Sequence, residues 1–238
     1  MTTPLVRPDS PPSVVPPLRD GDRLTRHEFE RRYNAMPEVK KAELIEGIVY
    51  MPSPVRHRHH SNPHFNLISW LGMYSMATSG VEGGDNGSLR LDMDNEPQPD
   101  AYLIVLPSHG GKVVIDEDDY ISGAPELVAE VSASTVSIDL NAKRRAYCRN
   151  GILEYIVWRV EDREIDWFIL REGQYERLPR DAAGVYRSET LPGLWLDPTG
   201  LVNGDLATVA RVVQTGVASE EHASFVQQLR QAASSRQS

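Results

Sequence analysis

A strand–helix–strand pattern in residues 125–158 constrains the fold of this 238-residue chain more than any other feature. Residues 127–131 form a short apolar run, residues 139–150 have helical spacing, and residues 153–160 form a second apolar run. Gly151 suits the left-handed end of a helix, which separates the predicted helix from the second strand. Such βαβ units place their two strands parallel and side by side, with a right-handed crossover. The pattern therefore predicts a sheet with a helix packed on one face.

An acidic residue interrupts the first of these strands. Glu130 lies inside the apolar run, and a buried carboxylate is costly unless it is paired or binds a metal. Helical spacing places Lys143 and Tyr147 on the apolar face of the crossover helix, from which a lysine reaches the strand that carries Glu130. The same arrangement has a structural alternative, which is a buried ion pair between Glu130 and Lys143 or Arg144.

The rest of the chain predicts further strands and helices around this unit. Helical spacing is found in residues 24–35, 63–78, 199–216 and 219–230, and strand patterns in residues 42–51, 88–92, 101–106, 164–170, 174–178, 185–189 and 194–196. Meander strands, a crossover and a hairpin together indicate an α/β (α+β) fold with a central mixed sheet flanked by helices. We divide the chain into a flexible proline-rich segment (1–22), a globular domain (23–200) and a C-terminal helical extension (201–238).

Composition limits the function classes. The net charge is −9 at pH 7, which counts against a tight, non-specific grip on duplex DNA but allows an enzyme with a local basic cleft. The single cysteine, Cys148, excludes an internal disulfide. No apolar run approaches the roughly 18 residues that span a bilayer, and the N-terminus has no apolar signal core. We therefore expect a cytoplasmic protein.

Three acids fall at predicted strand positions. Glu46 lies in the first hairpin, Asp100 opens a buried strand, and Glu130 lies in the central strand. Carboxylates that converge from adjacent strands form an oxygen-ligand site for a hard cation such as Mg²⁺. A bound cation with a lysine nearby suits phosphodiester hydrolysis, because both stabilise negative charge on the phosphate.

Each of these residues also has a simpler interpretation. Glu46 precedes Gly47 and fits a turn acid, and Asp100 follows a proline and fits the start of a strand. Lys143 alone fits a solvated helix surface. The histidines at 57, 59 and 60 offer a transition-metal site, although no cysteine or acid nearby has ligand spacing.

Six ordered motifs resemble the Uma-type endonuclease family, a branch of the PD-(D/E)XK restriction-endonuclease-like superfamily. They are ELIEG (43–47), His60-Ser61, QPD (98–100), PELVAEV (125–131), the K-x-x-x-Y helix (143–147) and G-x-x-E-Y-x-V-W (151–158). The resemblance spans about residues 23–200. Ser132 stands where the superfamily pattern has its lysine, and Lys143 is placed for the variant that carries the lysine on the following helix. SAST also replaces the usual S-P-S-T.

The resemblance implies a nuclease fold and a specific site. Asp100 and Glu130 would ligate Mg²⁺, or Mn²⁺ in its place, with the backbone carbonyl of Val131. Glu46 would bind a metal-bound water or a second ion. Lys143 would act on the phosphate or the attacking water.

Two basic side chains complete the implied site. His60 would contact the scissile phosphate, and Arg144 lies on a helix edge that is either solvated or phosphate-facing. The expected partner is nucleic acid, DNA foremost, and a homodimer would cut two strands as a pair. The alternatives are a catalytically inactive nuclease-fold module that binds nucleic acid or a protein, and a metal-dependent hydrolase of small phosphoesters.

Overall fold

A six-stranded mixed sheet forms the centre of the computed structural model, which describes residues 15–51 and 56–236. The helices are α1 (Arg26–Asn34), α2 (Asn62–Ala77), α3 (Val136–Ile138), α4 (Arg144–Arg149), α5 (Pro198–Asn203), α6 (Leu206–Val217) and α7 (Glu220–Ser235). Wide π-helical turns at His57–Ser61 and Asp139–Lys143 lead into α2 and α4, and a 3₁₀ turn spans Pro107–His109.

Short strands alternate with these helices. They are β1 (Glu43–Ile45), β2 (Ile48–Tyr50), β3 (Val81–Gly84), β4 (Leu89–Arg90), β5 (Ala101–Val105), β6 (Val114–Ile115), β7 (Ile121–Ser122), β8 (Leu127–Ser132), β9 (Glu154–Arg159), β10 (Glu164–Arg171), β11 (Gln174–Arg177), β12 (Tyr186–Arg187) and β13 (Trp195–Leu196). The central sheet has the order β11-β10-β9-β8-β5-β3. Strands β8 and β9 are parallel, and the other neighbours are antiparallel. The predicted βαβ unit, the hairpin and the mixed sheet are confirmed.

The two faces of the sheet have separate cores because strand side chains alternate. Leu127, Ala129 and Val131 of β8 pack in the core that includes Trp70 of α2 and Val209 of α6. Val128 lies in the other core, which includes Tyr147 of α4 and Tyr155 of β9. Glu130 shares the face of Val128 by the same alternation, so its carboxylate points toward the crossover helix.

The ends of the chain differ from the predicted boundaries. Residues 1–14 of the predicted flexible segment lie outside the described residues, whereas Leu18 is buried against Phe29 and extends the packed region before residue 23. The single helix predicted for residues 199–216 is two helices, because Gly204 adopts a φ of +73° and Asp205 caps the second one through Thr208.

The C-terminal helices belong to the main core. Val209 and Val213 of α6 and Leu229 of α7 are buried together with Trp70. The predicted C-terminal helical extension therefore covers the sheet. Among the described residues, none of the helices combines the length and the apolar character that a membrane span needs.

Candidate functional site

Asp100, which directly precedes β5, and Glu130, within β8, lie side by side. Strands β5 and β8 pair in a register that joins Ala101 to Ala129. Continuing this register by one residue sets Asp100 opposite Glu130, and opposite residues on antiparallel strands have Cβ atoms about 5 Å apart. The backbone N–H of Val131 donates a 2.8 Å hydrogen bond to Asp100 Oδ2. Two of the predicted carboxylates are therefore brought together, and each residue is 3% exposed.

A lysine and two histidines surround Asp100. His60 Nε2 lies 3.2 Å from Oδ2, and Lys41 Nζ lies 3.4 Å from Oδ1. A second histidine, His64, contacts the backbone carbonyl oxygen of Asp100 through Nε2 at 2.8 Å. Burial alone would raise the pKa of Asp100, but the hydrogen bond from His60 and the charge of Lys41 outweigh it and lower that pKa. Asp100 is consequently ionised at neutral pH.

Lys143 lies at the centre of an acidic cluster. Its Nζ is 2.8 Å from Glu43 Oε1, 2.9 Å from Glu130 Oε1 and 3.7 Å from Asp139 Oδ1. Tyr147, one helical turn later, donates its hydroxyl to the same Glu130 oxygen at 2.8 Å. The predicted reach of Lys143 to the strand of Glu130 is therefore observed.

The cluster perturbs the pKa values of its members. Burial raises the pKa of Glu130 to about 8, against the opposing charge of Lys143 and with the support of the neighbouring acids. Burial also raises the pKa of Asp139. Desolvation would lower the pKa of Lys143, but the charges of Glu130, Glu43 and Asp139 outweigh it and raise that pKa well above its usual value. Lys143 is therefore an ammonium ion at neutral pH.

Wide helical turns present two of the candidate residues. His60 lies within the π-helical turn before α2, and Lys143 ends the one before α4. π-Helical segments occur mostly as single turns within α-helices, and they are frequent at functional sites. Asp139 and Lys143, at the two ends of the second turn, are both buried.

The structure does not bring Glu46 into the cluster. Glu46 occupies the turn between β1 and β2 with a φ of +51°, and its carboxylate accepts hydrogen bonds from Arg145 at 2.7 and 3.1 Å. Glu43, at the start of β1, takes the expected place beside Lys143 and also accepts the backbone N–H of Gln98 at 2.8 Å. Glu43 is an acid inside an apolar run, which is the same signal that identifies Glu130. That signal would have selected it over the turn acid.

Of the other predicted residues, Val131 contacts the site and Arg144 does not. Val131 contributes its N–H to Asp100, as described, whereas Arg144 stacks its guanidinium 5.3 Å from the ring centre of Phe168. The structure therefore does not place Arg144 with the carboxylates, and its phosphate contact stays a prediction. Lys41 was missed because two consecutive lysines before a strand have the pattern of a solvated surface.

The site offers carboxyl oxygens to a cation. Four buried carboxyl groups, of Glu43, Asp100, Glu130 and Asp139, lie around the two ammonium groups of Lys41 and Lys143. Because the pKa of Glu130 is raised to about 8, a cation that binds there displaces its proton. Within residues 15–51 and 56–236, no three His, Cys, Asp or Glu side chains are arranged to hold one metal ion. A donor set of two carboxylates is what Mg²⁺ commonly takes from a protein, because Mg²⁺ keeps several waters. The oxygen donors thus fit a small, hard cation.

Comparisons with known proteins place the chain in a family. Its residues 26–199 match the model of the Uma2 family, which is described as "Putative restriction endonuclease". No curated protein matches the chain. Among solved structures, the chain is similar to a putative nuclease of DUF820 from Anabaena variabilis, at 16% identity and a TM-score of 0.48, over 64% of this chain and 85% of that one. Because the family model covers well over half of the sequence, including Asp100 and Lys143, the chain belongs to the Uma2 family.

Proposed function

We propose that this protein is a Mg²⁺-dependent endonuclease that hydrolyses phosphodiester bonds of nucleic acid. The observation that carries the proposal is that the buried residues Asp100 and Glu130 lie opposite each other by the register of β5 and β8, with Lys143 Nζ 2.9 Å from Glu130. The description of the family supports a nuclease reaction. Mn²⁺ shares the preference of Mg²⁺ for oxygen ligands and is the other candidate cation.

The carboxylates and one backbone carbonyl supply the proposed cation ligands. Asp100 and Glu130 would hold the ion together with the carbonyl oxygen of Val131. A bound Mg²⁺ supplies a more acidic water and neutralises charge on the phosphate oxygens. His60 and Lys41 keep Asp100 ionised, so this ligand is ready to bind at neutral pH.

In this proposal, Lys143 stabilises the negative charge on the phosphate. Because its pKa is raised well above the usual value, it holds its proton at neutral pH and cannot serve as the general base. Its positive charge instead stabilises the negative charge that develops on the phosphate oxygens. Glu43 and Tyr147 position Lys143 and Glu130, and His60 contacts the scissile phosphate.

A catalytically inactive module is the second candidate. Lys143 is already enclosed by three carboxylates within 3.7 Å, which is also how a purely structural ion-pair cluster is built. Such a module would bind nucleic acid or a protein partner without cleavage. A homodimer that cuts both strands remains a prediction of the catalytic candidate.

A nicking assay separates the two candidates. We expect the wild type to nick supercoiled plasmid or to cut labelled oligonucleotides in Mg²⁺ but not in EDTA. Asp100→Asn should abolish cleavage, and Lys143→Gln should lower its rate about 100-fold or more through the loss of one stabilising charge. Glu46→Gln is the matched control, because Glu46 pairs with Arg145 outside the cluster. Wild type that binds nucleic acid but never cuts in Mg²⁺ or Mn²⁺ would favour the inactive module.

A further inference from the structure

Phe65 is a large aromatic side chain on the surface beside the candidate site. It is 65% exposed, and it directly follows His64, whose Nε2 contacts the carbonyl oxygen of Asp100 at 2.8 Å. The core-facing residues of the same helix, such as Leu67 and Trp70, are fully buried. Packing within the described chain therefore does not account for an aromatic ring at position 65.

Two arginines without an acidic partner in the described part of the chain precede Phe65 by nine and seven residues in the sequence. Arg56 directly precedes the π-helical turn that carries His60, Arg58 lies within that turn, and both are exposed. Neither guanidinium makes a hydrogen bond or an ion pair with any described residue, whereas those of Arg145 and Arg171 are paired with acids. In a chain of net charge −9, residues 56–60 consist of two arginines and three histidines. The charge of this segment is complementary to a phosphate backbone.

The reacting groups are recessed below this surface. The side chains of Asp100, Glu130 and Lys143 are each 4% exposed. Duplex DNA is stiff over about 150 base pairs and cannot bend sharply into such a site without cost. A single strand is flexible, and its unpaired bases present faces on which aromatic side chains stack. In a duplex those faces are covered by neighbouring base pairs.

We propose that Phe65 stacks on an unpaired base of a single-stranded substrate while Arg56 and Arg58 contact its phosphates. The inference rests on the proposed nuclease function and specifies its substrate as single-stranded nucleic acid. Phe65 determines strand preference, and the carboxylates with Lys143 act on the phosphodiester. Stacking tolerates any base, so the ring adds affinity without sequence readout.

Binding of labelled oligonucleotides in EDTA tests the proposal without cleavage. The probes are fluorescein-labelled oligothymidylate, oligouridylate and a duplex of the same length, followed by fluorescence anisotropy with the full chain. Phe65→Ala should weaken single-strand binding at least about fivefold, since one stacked base contributes roughly 1–3 kcal/mol. Phe65→Tyr should retain affinity because it keeps the ring. Met76→Ala is the matched control, since Met76 is 82% exposed on the same helix but near its far end.

The outcomes separate this inference from the proposed function. A fivefold loss on single strands, with the weaker duplex binding unchanged, supports it, and the two single-stranded probes show whether DNA or RNA is preferred. Equal single-strand binding by Phe65→Ala and wild type overturns it, as does an equal loss on duplex. If wild type nicks duplex plasmid but binds neither single-stranded probe, the inference fails while the nuclease function stands. Loss of all binding and cleavage in wild type overturns both.

Discussion

Glu130 and Glu154 are buried carboxylates on the adjacent strands β8 and β9, yet their surroundings differ in kind. Glu154 is fully buried and accepts only neutral hydrogen bonds, from the Trp167 indole and the Ser188 hydroxyl, each at 2.9 Å, and from two backbone N–H groups at 2.8 and 2.9 Å. Glu130 instead shares Lys143 with further acids. The hydrogen bonds of Glu154 thus come from neutral donors, whereas Glu130 lies in a charged cluster.

This difference separates a structural acid from a candidate functional one. Glu154 ties β9 to the segment around Ser188, and among the described residues no basic side chain pairs with it. The cluster of Glu130 holds three carboxyl groups around one ammonium group, so it offers oxygen ligands to a cation. Burial of an acid alone therefore does not identify a functional site, whereas charged partner side chains do indicate one.

The largest stability effect is expected from Lys143→Met. The variant leaves Glu43, Glu130 and Asp139 without their shared cation, and breaking a buried ion pair costs about 3–5 kcal/mol. Urea denaturation measures the free energy of unfolding. Lys40→Met is the control, because Lys40 is exposed and bonds only the Pro37 carbonyl oxygen. A loss of less than about 1 kcal/mol in the free energy of unfolding would show that the buried acids do not depend on the positive charge of Lys143.

Glu154→Ala should be the next most destabilising change. It leaves several buried neutral donors without their acceptor, but the space that the side chain vacates admits water to most of them, so the expected loss is that of one unpaired donor, about 1–3 kcal/mol. Added Mg²⁺ should not alter this loss, because Glu154 lies outside the charged cluster. The exposed Glu176→Ala should change stability by about 0.5 kcal/mol or less. A Mg²⁺-dependent effect of Glu154→Ala on stability would remove the distinction between the two acids.

Glu96 is a third buried acid, and its effect on stability can be measured by changing the pH. Its Oε2 has no hydrogen-bond partner among the described residues, and burial, reinforced by the Glu30 carboxyl and opposed by Arg90 and Arg26, raises its pKa from 4.5 to about 8. A raised pKa means that folding favours the protonated acid, so its stabilisation is complete below about pH 4.5 and is lost as pH rises through about 8.

The pH dependence is measured by denaturation of two proteins. Wild type should lose stability steadily as pH rises across this window, and Glu96→Gln, which cannot ionise, should lose less. Other buried acids such as Glu154 contribute with the same sign, so the difference between the two curves is the quantity to compare. Parallel curves would contradict a protonated Glu96.

Glu46→Gln should have the smallest effect. The Glu46–Arg145 pair is on the surface, and exposed ion pairs contribute about 0–1 kcal/mol. We expect little change in stability and none in cleavage, measured by denaturation and by plasmid nicking. A cleavage defect comparable to that of Asp100→Asn would restore Glu46 to the site and weaken the assignment of Glu43.

The sequence predicts the sheet better than the details of the site. The unit from β8 to β9 follows from apolar runs and a helix stop, and Glu130 with Lys143 follows from burial cost and helical spacing. Glu43 carries the same signal as Glu130, an acid in an apolar run, but its contact with Lys143 depends on the docking of β1 against the segment before Asp100, which the sequence does not show. The break between α5 and α6 was missed as well. Long-range contacts and a single left-handed glycine leave no periodic signal.

Isothermal titration of Mg²⁺ tests the central claim, that the carboxylates of Asp100 and Glu130 form a cation site. Asp100→Asn is the informative variant, because its amide oxygen can still accept the Val131 N–H while its charge is lost. The account predicts saturable binding to wild type and to Glu46→Gln, and none to Asp100→Asn. No binding of Mg²⁺ or Mn²⁺ to wild type at millimolar concentration, or equal binding to Asp100→Asn, would contradict it and leave the cluster a structural ion-pair network.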